Sequence, residues 1–255
     1  MEQKTIEYLR NLAQQYNNED FIPNDPISFP HRYTEKKDIE ISAFIAQWLA
    51  YGRREMFLRV LDNIGDKMGN SPYEYILSKS FSEYKGDETN LYRFYKKKDF
   101  YDLCSCFYDI YAVKGENKLS MEDVLKQMVG ERTEDFKLLL QSLISLFPNV
   151  NGVPQNTVSA CKRLCMFLRW LVRKDVIVDF GIWDIISPQH LVIPVDTHVF
   201  KQSKHLGLTQ RNDASFKTAQ EITENLKEIF PSDPVLGDFV LFGYGVDKQK
   251  LIDTI

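Results

Sequence analysis

Residues 193–208 contain the side chains whose types and order are best suited to chemistry. Pro194 favours an extended backbone, and Asp196 follows where helical periodicity begins. A carboxylate at that position can accept hydrogen bonds from the first amides of a helix. The segment therefore predicts a short helix, ended by Gly207, with an aspartate fixed at its positive end. A helix cap without a catalytic role also explains Asp196.

Lys162 is the second candidate for chemistry. It lies in the first turns of a helix predicted over residues 156–174. We expect the positive helix end and neighbouring Arg163 to lower the pKa of the lysine amine towards a reactive range. An amine in that state can act as a nucleophile, and a nearby carboxylate can stabilise developing positive charge. A solvated surface lysine is the alternative interpretation.

The sequence V-D-T-H-V-F-K at residues 195–201, followed by leucine-glycine-leucine, resembles a segment of the endonuclease III-like DNA glycosylases of the helix-hairpin-helix superfamily. Residues 233–243 resemble the late helix of that superfamily, which ends in glycine. This resemblance implies that Asp196 is the catalytic carboxylate at the mouth of a base-flipping pocket. The chain as a whole also resembles an uncharacterised bacterial family of unknown function.

The position of Lys162 is similar to that of the lysine in archaeal 8-oxoguanine glycosylases, which precedes the aspartate by a comparable interval. In endonuclease III-like enzymes the lysine follows a leucine-proline-glycine-valine-glycine hairpin. Residues 151–157 read N-G-V-P-Q-N-T instead. The hairpin glycines whose amides would bind a DNA phosphate are therefore missing, which weakens the expectation of phosphate anchoring at this segment.

Several other residues are candidates for contact with nucleic acid. The resemblance aligns Gln47 with the helix that supplies a residue to fill the gap left by a flipped base. His198 follows the aspartate-threonine pair and can contact a phosphate or donate into the pocket; half-buried polar surface is the alternative. The cationic candidates are Arg53, Arg163, Arg169, Arg173 and Lys201. A solvated helix face explains each cation as well. The basic segment 93–98 is either a phosphate-tracking element or an exposed loop.

The composition sets limits on the partners and cofactors. The net charge of −4 is unlike that of a strongly basic nucleic-acid-binding protein, so any binding must depend on a local patch. The four cysteines and four histidines lack the spacing of metal ligands. We expect no cofactor. We also expect no iron-sulfur cluster, because the four cysteines that follow the late helix in many endonuclease III relatives do not occur here.

The apolar residues recur at helical spacing, without long alternating runs, which predicts an all-α protein. By analogy with the glycosylases, we expect one compact two-lobed unit with Asp196 in the cleft between lobes. Residues 38–184 would form the central lobe, and residues 1–37 with 185–255 the terminal lobe. The sequence contains neither a membrane span nor a signal peptide, so we expect a cytoplasmic monomer.

Three functions fit these observations. The first is a DNA glycosylase-like enzyme that excises a damaged base, with Asp196 as the catalytic carboxylate and Lys162 as a nucleophile. The second is a nucleic-acid-binding protein that keeps the glycosylase fold without base excision, which the acidic composition favours. The third is a helical protein-interaction module in which Asp196 is only a cap. The fold alone cannot separate them.

Overall fold

Residues 3–112, 119–174 and 177–253 are described in a computed structural model, and the all-α prediction is confirmed. The helices are α1 (Gln3–Tyr16), α2 (Lys36–Leu49), α3 (Arg54–Met68), α4 (Pro72–Leu77), α5 (Lys97–Tyr111), α6 (Met121–Val129), α7 (Phe136–Ser145), α8 (Lys162–Val172), α9 (Thr197–His205), α10 (Phe216–Lys227) and α11 (Gly237–Asp253). Short 3₁₀ turns cover Glu19–Asn24, Pro26–Ser28, Pro30–Arg32, Ser80–Tyr84, Pro188–His190 and Pro234–Leu236. Two strands, β1 (Asn90–Tyr92) and β2 (Tyr95–Lys96), form an antiparallel hairpin.

Local capping explains where several helices begin. The Ser71 hydroxyl accepts a hydrogen bond from the amide of Glu74, and a proline occupies the first position of α4. Ser120 and Asp123 form a reciprocal capping box at the start of α6. Both are sequence patterns typical of helix beginnings.

The chain divides into two compact units. One contains residues 1–23, 134–136 and 157–255, and the other contains residues 24–133 and 137–156. This grouping places residues 157–184 with the terminal segments and residues 24–37 with the central helices, whereas we expected the opposite for both. For residues 157–184, the reason is that two arginines of α8 form ion pairs near α11: Arg169 with Asp238, at the start of α11, and Arg173 with Asp233, just before it. The cleft between lobes stays a prediction.

Helix α2 forms the middle of the unit that contains residues 24–133. Its residues from Asp38 to Leu49 are all buried, and Phe44 stacks on Phe147 with ring centroids 4.0 Å apart. Gln47 belongs to the same buried surface and is only 2% exposed. The Gln47 side chain packs inside the unit and cannot reach a nucleic acid. The expectation that it fills the gap left by a flipped base is therefore wrong.

Helices α1, α9 and α11 pack together in the unit that contains the chain termini. Gly243 permits the close approach of α1 and α11, because a β-carbon at this position would lie 2.2 Å from the Tyr16 ring. Tyr16 also meets Phe242 edge to face, with ring centroids 5.8 Å apart.

Helix α8 begins six residues later than the periodicity predicts. Cys161 adopts a left-handed backbone with φ of 47°, which is incompatible with the helix continuing backwards. Before it, Ser159 pairs with Ser215 as an isolated antiparallel bridge. Lys162 therefore occupies the first position of α8.

Two arginines of α8 are buried in a network of ion pairs. Arg169 and Arg173 are each 3% exposed, and both bind the fully buried Asp179 at N–O distances of 3.2 and 2.9 Å. Arg169 also pairs with Asp238, and Arg173 Nε donates to Asp233 over 2.7 Å. Each guanidinium thus joins two carboxylates, which compensates for the cost of removing it from water.

Arg169 and Arg173 were expected to contact nucleic acid, and that expectation is wrong. Both guanidinium groups are buried, and both also lie over the Phe239 ring, 4.6 and 5.3 Å from its centroid. They stabilise the packing of α8 on α11 instead.

The first prediction concerns this network. Asp179→Asn keeps the side-chain shape but removes the charge shared by two buried guanidinium groups. We expect the free energy of unfolding to fall by about 3 kcal/mol. Asp62→Asn is the matched control, because Asp62 forms an exposed ion pair with Arg32 and should cost about 1 kcal/mol or less. Urea unfolding measures both, and equal small losses would contradict a network that stabilises the unit.

Candidate active site

Asp196 caps α9, as the sequence predicts. Its Oδ1 accepts hydrogen bonds from the amides of His198 and Val199 over 2.9 and 2.8 Å. The preceding residues 191–195 are buried, and the amide of Ile193 donates to Thr223 Oγ1 over 3.1 Å. The extended approach and the cap together fix the direction of the carboxylate.

Lys162 lies beside this carboxylate. Its Nζ is 3.4 Å from Asp196 Oδ2, the oxygen that the helix cap does not use. The side chains are 34% and 40% exposed, so the pair is accessible to solvent. The two residues identified from separate parts of the sequence are therefore neighbours, each at the amino end of its own helix.

The surroundings keep the Asp196 carboxylate ionised. Partial burial acts to raise the pKa of Asp196, but the Lys162 ammonium and the amides of Val199 and His198 together outweigh burial and lower the pKa below its usual value. An ionised carboxylate can hold an ammonium group, accept its proton, or stabilise a positive charge that forms nearby.

Asp238, in the first turn of α11, belongs to the same electrostatic environment. Burial raises the pKa of its carboxyl to about 6, and the carboxylates of Asp196 and Asp179 act in the same direction. The guanidinium of Arg169 and the ammonium of Lys162 oppose this rise. Asp238 therefore changes its charge close to neutral pH, in contact with the helix that presents Lys162.

His198 lies at the start of α9 and is exposed, and its Nε2 faces the backbone of α11. A β-carbon at Gly245 would lie 2.8 Å from that nitrogen, so glycine is needed for this position of the ring.

Lys201, one helical turn after His198, is also exposed. Arg163 is half-buried beside Lys162, and Arg53 is exposed in the other unit, immediately before α3. Nucleic-acid contact by these four residues stays a prediction.

The cysteines are free thiols. Burial raises the pKa of Cys104, Cys161 and Cys165, so none of these three is activated as a thiolate nucleophile. Within residues 3–112, 119–174 and 177–253, no three histidine, cysteine or carboxylate side chains are grouped as metal ligands would be.

Sequence reasoning missed Asp179 and Asp238 as partners of the basic face of α8. A signal was present, because Arg169 and Arg173 lie within an apolar helix and are one turn apart, on the same face as Lys162. Buried arginines require carboxylates, but the sequence does not identify distant ones.

The second prediction follows from the titration of Asp238. The folded protein binds the Asp238 proton more tightly than the unfolded chain does, so lowering the pH from 7 to 5 should stabilise the wild type relative to Asp238→Asn. We expect a relative gain of at most about 1 kcal/mol, since 19% of the side chain is exposed to water. Urea unfolding of both proteins at the two pH values measures it. A difference between them that does not vary with pH would contradict the raised pKa.

The comparisons with known proteins identify a family and no activity. Residues 25–247 match the family described as "Protein of unknown function (DUF2400)". No curated protein and no solved structure matches the chain. Among the described residues, no helix is both long enough and apolar enough to cross a membrane. Since the family match covers well over half of its length, the chain belongs to the DUF2400 family of proteins of unknown function.

Proposed function

We propose that this protein is a DNA glycosylase-like enzyme that excises a damaged base, with Asp196 and Lys162 as its catalytic pair. The observation that supports this most is the distance of 3.4 Å between Lys162 Nζ and Asp196 Oδ2. The two residues are far apart in sequence, and both remain accessible to solvent. An ion pair needed only for stability would gain little in so exposed a position.

The reaction would use both groups on one sugar carbon. Asp196 accepts a proton from the Lys162 ammonium, and the free amine bonds to C1′ of the nucleotide. The bond from C1′ to the base breaks, and the base leaves with the bonding electron pair and takes up a proton. The nitrogen loses a second proton, the ring oxygen takes up a proton as its bond to C1′ breaks, and the opened sugar is left joined to Lys162 as a protonated imine, which water hydrolyses or which permits strand cleavage.

A water molecule is the alternative nucleophile within the same proposal. In that case Asp196 stabilises the positive charge that develops on the sugar, and Lys162 serves to position the carboxylate. The target base would be taken out of the duplex to reach these groups. The partner is therefore damaged duplex DNA, contacted by the cations Arg163 and Lys201 and by His198.

The proposal includes no cofactor and no iron-sulfur cluster, since every group that the chemistry requires is a side chain of this chain. It also includes a cytoplasmic location and a monomeric state. The resemblance of residues 195–201 and 233–243 to the helix-hairpin-helix glycosylases supports the choice of DNA as substrate.

A second candidate is a nucleic-acid-binding protein without base excision. One observation favours it: Asp196 Oδ1 accepts two helix amides, so the cap alone accounts for the presence of this residue. The net charge of −4 also matches a weak binder better than a tight one. The two candidates differ in whether the carboxylate is needed for any reaction.

The third prediction separates the two roles of Asp196. Asparagine caps helices as well as aspartate does, so Asp196→Asn should retain the fold and lose about 1 kcal/mol of stability or less. It lacks the negative charge, and we expect base release to fall by at least about 100-fold. The measurements are single-turnover base release from duplexes that contain 8-oxoguanine, uracil or an oxidised pyrimidine, and strand cleavage of a duplex that contains an abasic site.

Lys162→Arg is the companion variant in the same assay. It keeps the charge beside Asp196, but a guanidinium does not form an imine, so strand cleavage should disappear. Lys217→Ala, at an exposed lysine of α10, is the control and should behave as the wild type. Wild-type protein that releases no base from any duplex, yet binds them with the same affinity as Asp196→Asn, would contradict the enzyme and favour the binding protein.

A further inference from the structure

The β1–β2 hairpin presents an aromatic side chain to solvent. Arg93 and Phe94 form its two-residue tip, between the paired residues Tyr92 and Tyr95. Phe94 is 73% exposed, the highest value of any aromatic side chain among the described residues. Exposure of a large aromatic ring is unfavourable in water, so a contact that covers it would be stabilising.

Two buried tyrosines, one on each strand, fix the hairpin to the rest of its unit. Tyr95 is buried against Trp48 with ring centroids 4.2 Å apart, and its hydroxyl donates to the Trp48 carbonyl over 3.2 Å. Tyr92 is also buried, and its hydroxyl donates to the carbonyl of Tyr51. The backbone position of Phe94 is therefore set before any ligand binds, which reduces the entropy lost on binding.

A second aromatic ring and a guanidinium accompany Phe94. The ring of Tyr51 is 48% exposed, and its centroid lies 6.3 Å from that of Phe94. The Arg93 guanidinium lies over the other ring, 5.1 Å from the Tyr51 centroid. Gly52 makes this possible, because a β-carbon there would lie 2.7 Å from Arg93 Nη1. We call Tyr51, Arg93 and Phe94 the hairpin platform.

The cationic side chains around the platform differ in whether they form ion pairs. The neighbouring lysines are paired: Lys96 and Lys98 with Glu88, and Lys97 with Asp87. The lysines are therefore poor candidates for tracking a phosphate backbone.

The arginines differ from these lysines. In the part of the chain that the structure describes, Arg53 and Arg93 form no ion pair, and both are exposed. The platform thus combines flat apolar surfaces with uncompensated positive charge.

We propose that the hairpin platform binds single-stranded nucleic acid, with an unpaired base stacked on Phe94 and the adjoining phosphates held by Arg93 and Arg53. Aromatic rings stack on the face of any base, and guanidinium groups bind phosphates and stack as well. This surface belongs to a different unit from Lys162 and Asp196, and the inference does not depend on their chemistry.

The chemistry of the platform favours a nucleic acid over a protein partner. Protein interfaces centre on an apolar patch whose charges are removed from water or paired. Here the exposed apolar surface is two rings wide, the uncompensated Arg93 guanidinium lies over one of them, and Arg53 follows Tyr51 by two residues in sequence. That combination matches the alternation of flat bases and negative phosphates along a single strand.

The fourth prediction tests the stacked base directly. Fluorescence anisotropy would measure the affinity of the protein for a labelled oligothymidine and for an abasic oligonucleotide of equal length. We expect Phe94→Ala to weaken binding to oligothymidine by roughly 5- to 150-fold and to leave binding to the abasic strand unchanged. Phe94→Trp should restore the affinity for oligothymidine. Arg93→Gln should weaken both strands and lower the salt dependence.

A matched control variant tests whether the loss of binding is specific to the platform. Met128→Ala, at an exposed apolar residue of α6, should bind both strands as the wild type does. The assay measures binding and not base release, so failure of the excision proposal leaves this test intact. Three results would overturn the platform: no binding of oligothymidine by the wild type, no effect of Phe94→Ala, or an equal loss with both strands. Thermal unfolding confirms that each variant is folded.

Discussion

The buried charges of α8 constrain the unit that contains the chain termini, because two guanidinium groups inside a protein require carboxylates. Asp179 joins Arg169 to Arg173, and segments near the start of α11 supply the remaining acids. These bonds fix the rotation of α8 about its axis. Since Lys162 lies on the same face at the first position of the helix, its direction is fixed as well. The lysine differs from the arginines in being accessible to solvent, and an accessible amine is available for chemistry.

Asp196 uses its two oxygens for two purposes. Oδ1 binds the first amides of α9, which holds the carboxylate in one position, and Oδ2 faces Lys162. A carboxylate held in this way needs no reorganisation before it acts on a neighbouring charge. The same arrangement explains why a cap and a catalytic residue are hard to distinguish from sequence: both require an acid at a helix start. Asparagine at this position separates the roles, since it preserves the cap alone.

Much of the fold could be predicted because helices are encoded locally. Apolar spacing located α8 and α9, and Pro194 with Asp196 indicated where α9 begins. The remainder depends on distant contacts. Nothing near Arg169 in sequence identifies Asp238 as its partner, and the burial of Gln47 follows from packing on all sides of α2. The hairpin at residues 90–96 was missed because two very short strands leave no periodic signal.

Borohydride trapping with mapping of the adduct tests the central claim most directly. The reagent reduces an imine between the protein and an opened sugar to a stable bond, and mass spectrometry of the digested adduct identifies the lysine. The account predicts one adduct, on Lys162, when the wild type is incubated with a duplex that carries the recognised lesion or an abasic site, and none with Lys162→Arg. An adduct on another lysine, or neither an adduct nor base release from any duplex, would contradict the assignment of Lys162 and Asp196 as a catalytic pair.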